Sequence, residues 1–296
     1  MSGIFRAELI KVLRRPMTWI ALGIVLAILA TVQALLIVLA FLPAPEGAGG
    51  DQAGPGQLFV DLTVLPGGLA NGLNFLPGLG IFALAVVGAS VAGSEFSWGT
   101  VVPLFARGAD RQAVVVAKIL VLALVAVIWL LATIVLAFVL SAAASLIHLG
   151  RIPLDWLDLG MARELVFGVG RSLLAMLPYL AAAVALALLF RSPAIAMAVV
   201  LGYLIVEEVG LAAFTALRTV ADGGLGQLID LVNATAIGAN ADRLTGLNTR
   251  ALSPLAQETV IEHPYRAALI LVGYTILFII IGILSLRSRD ITLRPA

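Results

Sequence analysis

The chain has 296 residues, of which 61% are hydrophobic and 12% charged, and its formal net charge is +1. A soluble domain carries about 45–50% apolar and about 25% charged residues, so this composition places the chain in a bilayer and excludes an ordinary soluble domain. The near-neutral balance by itself says nothing about nucleic acid, for which only the placement of the charges is informative, and no nucleic-acid partner is expected; the absence of cysteine removes disulfides, thiolate metal sites and Cys nucleophiles.

Near the N-terminus, Phe5, Leu9, Val12 and Leu13 share one face at helical spacing, while Lys11, Arg14 and Arg15 cluster on another. This pattern predicts an interfacial helix, apolar side toward lipid and cations toward phosphates. A plain basic flank that orients the first span would produce the same residues. Next comes an apolar run, Met17 to Leu42, which exceeds the about 7–15 residues of a signal-peptide core and predicts an uncleaved span.

Crossing a hydrocarbon core of about 30 Å takes about 20 apolar residues at about 1.5 Å each. Six stretches qualify, at 17–42, 75–92, 113–147, 165–190, 193–217 and 267–286, and together they form a single all-α membrane domain over 1–296. Residues 43–56 are Gly- and Pro-rich and read as a loop. The following LFVDLTVLPGGLANGLN is half apolar but broken by Pro66 and Gly67-Gly68, which predicts no more than a short interfacial helix. Between spans four and five the turn is only FRSPA, with Ser192 placed to cap a helix whose first residue is Pro193. The segment from Arg218 to Pro264 groups Leu225, Leu228, Ile229, Leu231 and Val232, which predicts a re-entrant or surface helix.

With both termini cytoplasmic, one side collects Arg6, Lys11, Arg14, Arg15, Arg107, Arg111, Lys118, Arg191, Arg287, Arg289 and Arg294, eleven of the eighteen basic residues. Lys and Arg near span ends carry the orientation signal, so this side is expected to be the inner one.

Candidate chemistry is sparse. Lys11 and Lys118 are followed by Val12 and Ile119, so neither completes a phosphate-binding Gly-x-x-x-x-Gly-Lys-Ser/Thr loop, and ATP hydrolysis is not expected in this chain. His148 and His263 stand apart from one another and from any metal-ligand spacing; no metal site and no catalytic residue is expected. Glu207 and Glu208 lie about 14 residues beyond Pro193, roughly 21 Å along span five. Tyr203, one turn earlier, is placed to bond Glu207. A carboxylate at that depth usually faces protein or water, which makes these three residues candidates for a substrate or proton path. The alternative is a span shifted outward, with the pair at its wet end. An intramembrane enzyme built on them lacks a second catalytic group.

Between spans two and three lies GSEFSWGTVVPLFARGADRQAVVVAK. Gly99 and Pro103 break a long helix, Gly108 ends a short one and Asp110 caps the next, leaving an amphipathic piece of one or two turns. Trp98 and Phe105 suit either an anchor in the headgroup region or a knob for a cytoplasmic protein.

The order Glu95, Gly99-Thr100, Arg107, Arg111, Lys118 resembles the Glu, Gly-Thr, Arg and Lys pattern of permease subunits in the ABC type-2 exporter family. The opening FRAELIKVLRRPMTW and the closing LRSRDITLRPA are similar to that family's lead-in and ending. The resemblance implies a permease in the cell's inner (cytoplasmic) membrane, driven by a separate ATPase that binds ATP and Mg, with the short inner segment as coupling helix. It implies contacts from Glu95, Phe96, Trp98, Gly99, Thr100, Leu104, Phe105, Arg107 and Arg111, a second permease copy, and export of amphipathic or apolar cargo such as peptides, antibiotics or lipids. A membrane scaffold or sensor that docks a cytoplasmic partner without transport would use the same segment.

Overall fold

The computed structural model describes residues 2–42, 55–106, 108, 110–218, 223–253, 261 and 263–287. Of the loop expected at 43–56, residues 43–54 lie outside the described residues, as do Arg107 and the closing Arg289 and Arg294, while Pro55 and Gly56 open a helix instead. Everything described is helix or short connection, with no strand.

Helix α1 (Ser2–Leu13) precedes the first span, α2 (Pro16–Leu39), and Pro16 occupies the first-turn position where a missing N–H is harmless. After α3 (Pro55–Thr63) the second span runs from Gly67 to Ser97 as α4 (Gly67–Phe75), a π-helical turn (Leu76–Gly80) and α5 (Ile81–Ser97). This corrects the expectation of a span beginning at residue 75. Pro77 removes a donor and crowds the turn before it, and the π turn absorbs the defect instead of ending the helix. A short helix, α6 (Val101–Ala106), leads into α7 (Arg111–Leu149), whose 39 residues far exceed one crossing, as its apolar run predicts. Then follow α8 (Leu159–Phe190) and α9 (Pro193–Arg218), joined by the expected tight turn in which Ser192 accepts from the Ile195 amide. Two shorter helices, α10 (Gly223–Thr235) and α11 (Ile237–Leu252), precede the last span, α12 (Pro264–Arg287). Among the described residues six helical segments are thus long and apolar enough to cross a membrane, and the chain is a multi-pass membrane protein.

Helices α5 and α8 make the centre. Between Tyr179 and Ala185 every residue of α8 is buried, and small Ala side chains there let neighbours approach closely. The outer spans α2, α9 and α12 keep most of their surface accessible. Helix α11 packs among α8, α12 and α4. Its buried residues Ile237, Ala241, Leu244, Asn248 and Leu252 recur at helical spacing, and Asn248 bonds Asn74 and Ser172, so its inward polar groups are satisfied. The grouped Leu225, Leu228, Ile229, Leu231 and Val232 that predict a re-entrant or surface helix fall on α10, where of these five only Ile229 is buried.

One close helix approach pairs Gly68 and Gly72 of α4 with Thr133, Ala137 and Ser141 of α7. Thr133 Oγ1 donates to the Gly72 carbonyl at 2.9 Å, and Gln33, fully buried in α2, donates to Ser141 Oγ at 3.3 Å and accepts from Asn71 at 3.0 Å. A Cβ on Gly72 would meet the Ala137 methyl at 2.7 Å and the Thr133 carbonyl at 3.0 Å. Gly72→Leu is therefore expected to force α4 from α7 and cost about 1–3 kcal/mol, read as a lowered thermal midpoint in detergent. Gly273→Leu, with nothing within 4 Å of its Cβ position, should leave the midpoint unchanged.

Candidate functional site

The segment connecting α5 to α7 is shaped by its glycines. Gly99 (φ 66°) and Gly108 (φ 81°) adopt the left-handed conformation that other residues avoid, turning the chain on either side of α6. The Thr100 amide donates to the Glu95 carbonyl at 3.0 Å and the Gly108 amide to the Phe105 carbonyl at 3.0 Å, while Asp110 accepts from the Ala113 amide at 3.1 Å as the cap of α7. Val101 is buried, Phe105 half-buried, and Trp98 is 66% exposed. Arg15 stands 5.0 Å from the Trp98 ring, Arg111 5.7 Å from Phe105 and Arg191 6.0 Å from Phe96. Arg111 also donates to the Leu286 carbonyl at 2.6 Å, tying this segment to the end of α12. Glu95, Phe96, Trp98, Gly99, Thr100, Leu104, Phe105 and Arg111 therefore gather at one end of the bundle, together with α1 and the α8–α9 turn.

Glu95 itself points inward. It is 6% exposed, and its Oε1 meets Lys11 Nζ at 2.8 Å and Lys118 Nζ at 2.9 Å. Glu8, 2% exposed, receives Lys11 on Oε1 and Lys118 on Oε2, both at 2.7 Å. Two carboxylates and two ammonium groups from α1, α5 and α7 thus close one four-charge cluster around Lys118, itself 1% exposed. Arg15 adds hydrogen bonds to Ser94 Oγ at 2.7 Å and to the Ser90 carbonyl at 3.3 Å. Two of the three cations expected to face lipid phosphates are instead turned onto α5, because buried acceptors there need them. Between α1 and α6 a cleft of about 710 Å³ is lined by Lys11, Arg14, Arg15, Trp98, Thr100 and Pro103.

Toward the opposite end, Glu207 accepts three hydrogen bonds. Tyr203 donates at 2.8 Å, as the one-turn spacing predicts, Tyr179 of α8 donates at 2.6 Å, and the Gly238 amide donates at 2.9 Å. The last bond supplies from a distance the cap that Ala236 cannot offer the first turn of α11. Glu208 is exposed beside it. Asp242 of α11 stays accessible at the surface, yet crowding by protein and then the Glu208 and Glu207 carboxylates push it up to about 6. Elsewhere, the His148 ring packs 4.7 Å from Phe41. Among the described residues no group of three or more His, Asp or Glu is placed to hold a metal ion.

Glu8, Tyr179 and Asp242 were not singled out from sequence. Glu8 alone carried a signal: it falls on the apolar stripe between Phe5 and Val12, where an acid needs a buried partner.

The charge cluster sets a pH window. Burial alone would raise the Glu8 carboxyl, but Lys118 and Lys11 outweigh it and hold Glu8 below its ordinary 4.5. Burial would likewise lower Lys11, but its bonds to Glu8 and Glu95 raise it above 10.5. A lowered acid stabilises the fold above its ordinary value and loses that contribution as pH falls through the folded value; a raised base contributes below its ordinary value and fades above the folded one. Attachment of α1 is therefore expected to hold across neutral pH and fail in acid below 4.5, read as proteolytic release of residues 1–13. Glu8→Gln leaves buried cations short of one partner and should cost about 3–5 kcal/mol, with α1 released at neutral pH.

No curated protein matches the chain in a sequence comparison. Residues 63–292, from before α4 to beyond α12, match the family described as "Protein of unknown function (DUF2705)". With more than half its length matched, the chain belongs to that family.

Proposed function

We propose that this chain is the permease subunit of an ATP-driven exporter, with α6 as the element that receives a separate ABC ATPase. The observation that carries this reading is the four-charge cluster. It joins the start of the docking segment to α1 and to the long span α7, so a push on α6 is delivered to three helices at once. In this reading Trp98, Thr100 and Phe105 touch the partner, while Glu95 works from behind the surface by holding the segment in place. Leu104 and Arg107 complete the contact set on the resemblance alone. ATP and Mg are held by the partner.

The end bearing α1 and α6 is the cytoplasmic one, because the sequence assigns eleven of its eighteen basic residues to the segments expected on the inner side and the Lys and Arg bias orients short loops. Both termini then lie in the cytoplasm of a cell whose inner membrane holds the protein. A second permease copy completes the pathway, as the resemblance implies, and the accessible outer spans α2, α9 and α12 offer faces for it. Cargo is amphipathic or apolar.

Because the chain has no cysteine, Thr100→Cys introduces a single accessible thiol. A membrane-impermeant maleimide should label it in inverted vesicles and not in intact cells; labelling of intact cells alone would place α6 on the wrong side. Purification from the native membrane should yield a nucleotide-binding ATPase with this chain. Trp98→Ala and Phe105→Ala should weaken that complex by about 2 kcal/mol or more each, roughly thirtyfold in Kd. Glu95→Gln should preserve binding but lower the cargo moved per ATP hydrolysed. A stable complex whose ATP hydrolysis moves nothing would return the chain to the role of docking scaffold.

A further inference from the structure

A pocket of about 360 Å³ lies between α8, α9 and α12, and four aromatic residues, Tyr179, Tyr203, Tyr274 and Phe278, contribute to its walls. The rings of Tyr179 and Tyr203 are 6.4 Å apart, and those of Tyr274 and Phe278 are 6.5 Å apart. The hydroxyls of the first pair are both taken up by Glu207, so what these tyrosines leave to the pocket is ring surface. Aliphatic side chains, Ile237 among them, complete the lining.

Beside this apolar space stands negative charge. Glu207 is satisfied by neutral O–H and N–H donors, and among the described residues no Lys or Arg pairs with it. Glu208 and Asp242 lie close enough to interact, and the nearby Arg243 is engaged by the Asn233 carbonyl and the Asn240 side chain. Phenols that donate to a carboxylate gain electron density in their rings, which strengthens the attraction of the ring face for a cation. An acyl chain or other neutral apolar guest would use the walls and gain nothing from the carboxylates.

We infer that this aromatic chamber binds an amphipathic organic cation, its ammonium group held among the rings within reach of Glu207 and its apolar body against the aliphatic wall. The inference rests on the export reading and narrows its cargo to positively charged amphiphiles.

The test uses the full chain in nanodiscs of uncharged lipid, with radiolabelled benzyltrimethylammonium as probe, measured by equilibrium dialysis against empty nanodiscs. One saturable site per chain is expected. Neopentylbenzene, the neutral carbon isostere, should compete at least tenfold more weakly. Glu207→Gln, Tyr274→Leu and Phe278→Leu should each weaken binding at least tenfold, whereas Tyr265→Leu, which alters a side chain 86% exposed and outside the pocket, should not. Glu207 also holds the first turn of α11, so the Tyr274 and Phe278 variants, which leave that bond intact, keep the outcome readable. Equal competition by the neutral isostere overturns the inference, as does unchanged binding in Tyr274→Leu and Phe278→Leu. The dialysis needs no ATPase, so its failure is distinguishable from failure of the export reading, which ATP-driven flux decides.

Discussion

Lys118 lies about 10 Å into α7, counted from Arg111, with its side chain shut away from solvent. A charge in that position is tolerated only with partners, and its partners come from elsewhere: Glu8 from α1 and Glu95 from α5. Lys11 then closes the loop, since one lysine cannot balance two carboxylates. None of these three helices can settle alone without leaving a charge uncompensated, so their assembly is concerted. Apolar residues of equal volume would often be as stable as a buried ion cluster. What the charges add is a shared constraint: in this placement of α1, α5 and α7 all four are paired, which fixes where the chain leaves α5 for the exposed turn at Trp98.

Much of this was legible because membrane spans are written in composition. Four of the six spans begin and end within a few residues of the apolar runs that predict them, the fourth span starts six residues earlier at Leu159, and the turn chemistry of Ser192, Gly108 and Asp110 is realised as local rules require. The second span begins earlier than its apolar run predicts, for a physical reason. Pro66 and the Gly67-Gly68 pair argue against a helix locally, but Gly68 and Gly72 allow contact with Ser141 and Ala137, and close packing outweighs their low propensity. Helix α11 reads as a wet segment because it holds Asn240, Asp242, Arg243 and Asn248. Its true position depends on partners such as Asn74 and Ser172, which are distant in sequence.

The two candidate regions differ in the same way. Tyr203 and Glu207 are four residues apart on one helix, so their bond follows from periodicity. Tyr179 comes from a different span and reaches Glu207 only because the FRSPA turn brings α8 and α9 together antiparallel, a consequence of packing that no local pattern encodes. At the other end, the described residues from Glu95 to Arg111 lie close to α1 and the end of α12. Their chemistry was less visible, because a glutamate in a short connection reads as exposed until the lysine buried in the next span is taken into account.

These two regions are mechanically continuous. Glu95 sits near one end of a helix that runs through α5, the π turn and α4; Asn74 of α4 bonds Thr249 and Asn248 of α11, and the opposite end of α11 is held by Glu207 through Gly238. A displacement of α5 along its axis must either be absorbed where the helix is least regular, at Leu76–Gly80, or be handed to α11 through the Asn74 bonds. Close packing of α4 against α7 opposes lateral escape. A π turn tightened or relaxed by one residue would therefore change the register between Asn74 and Asn248, and with it the pull on the Glu207 carboxylate that two tyrosines share.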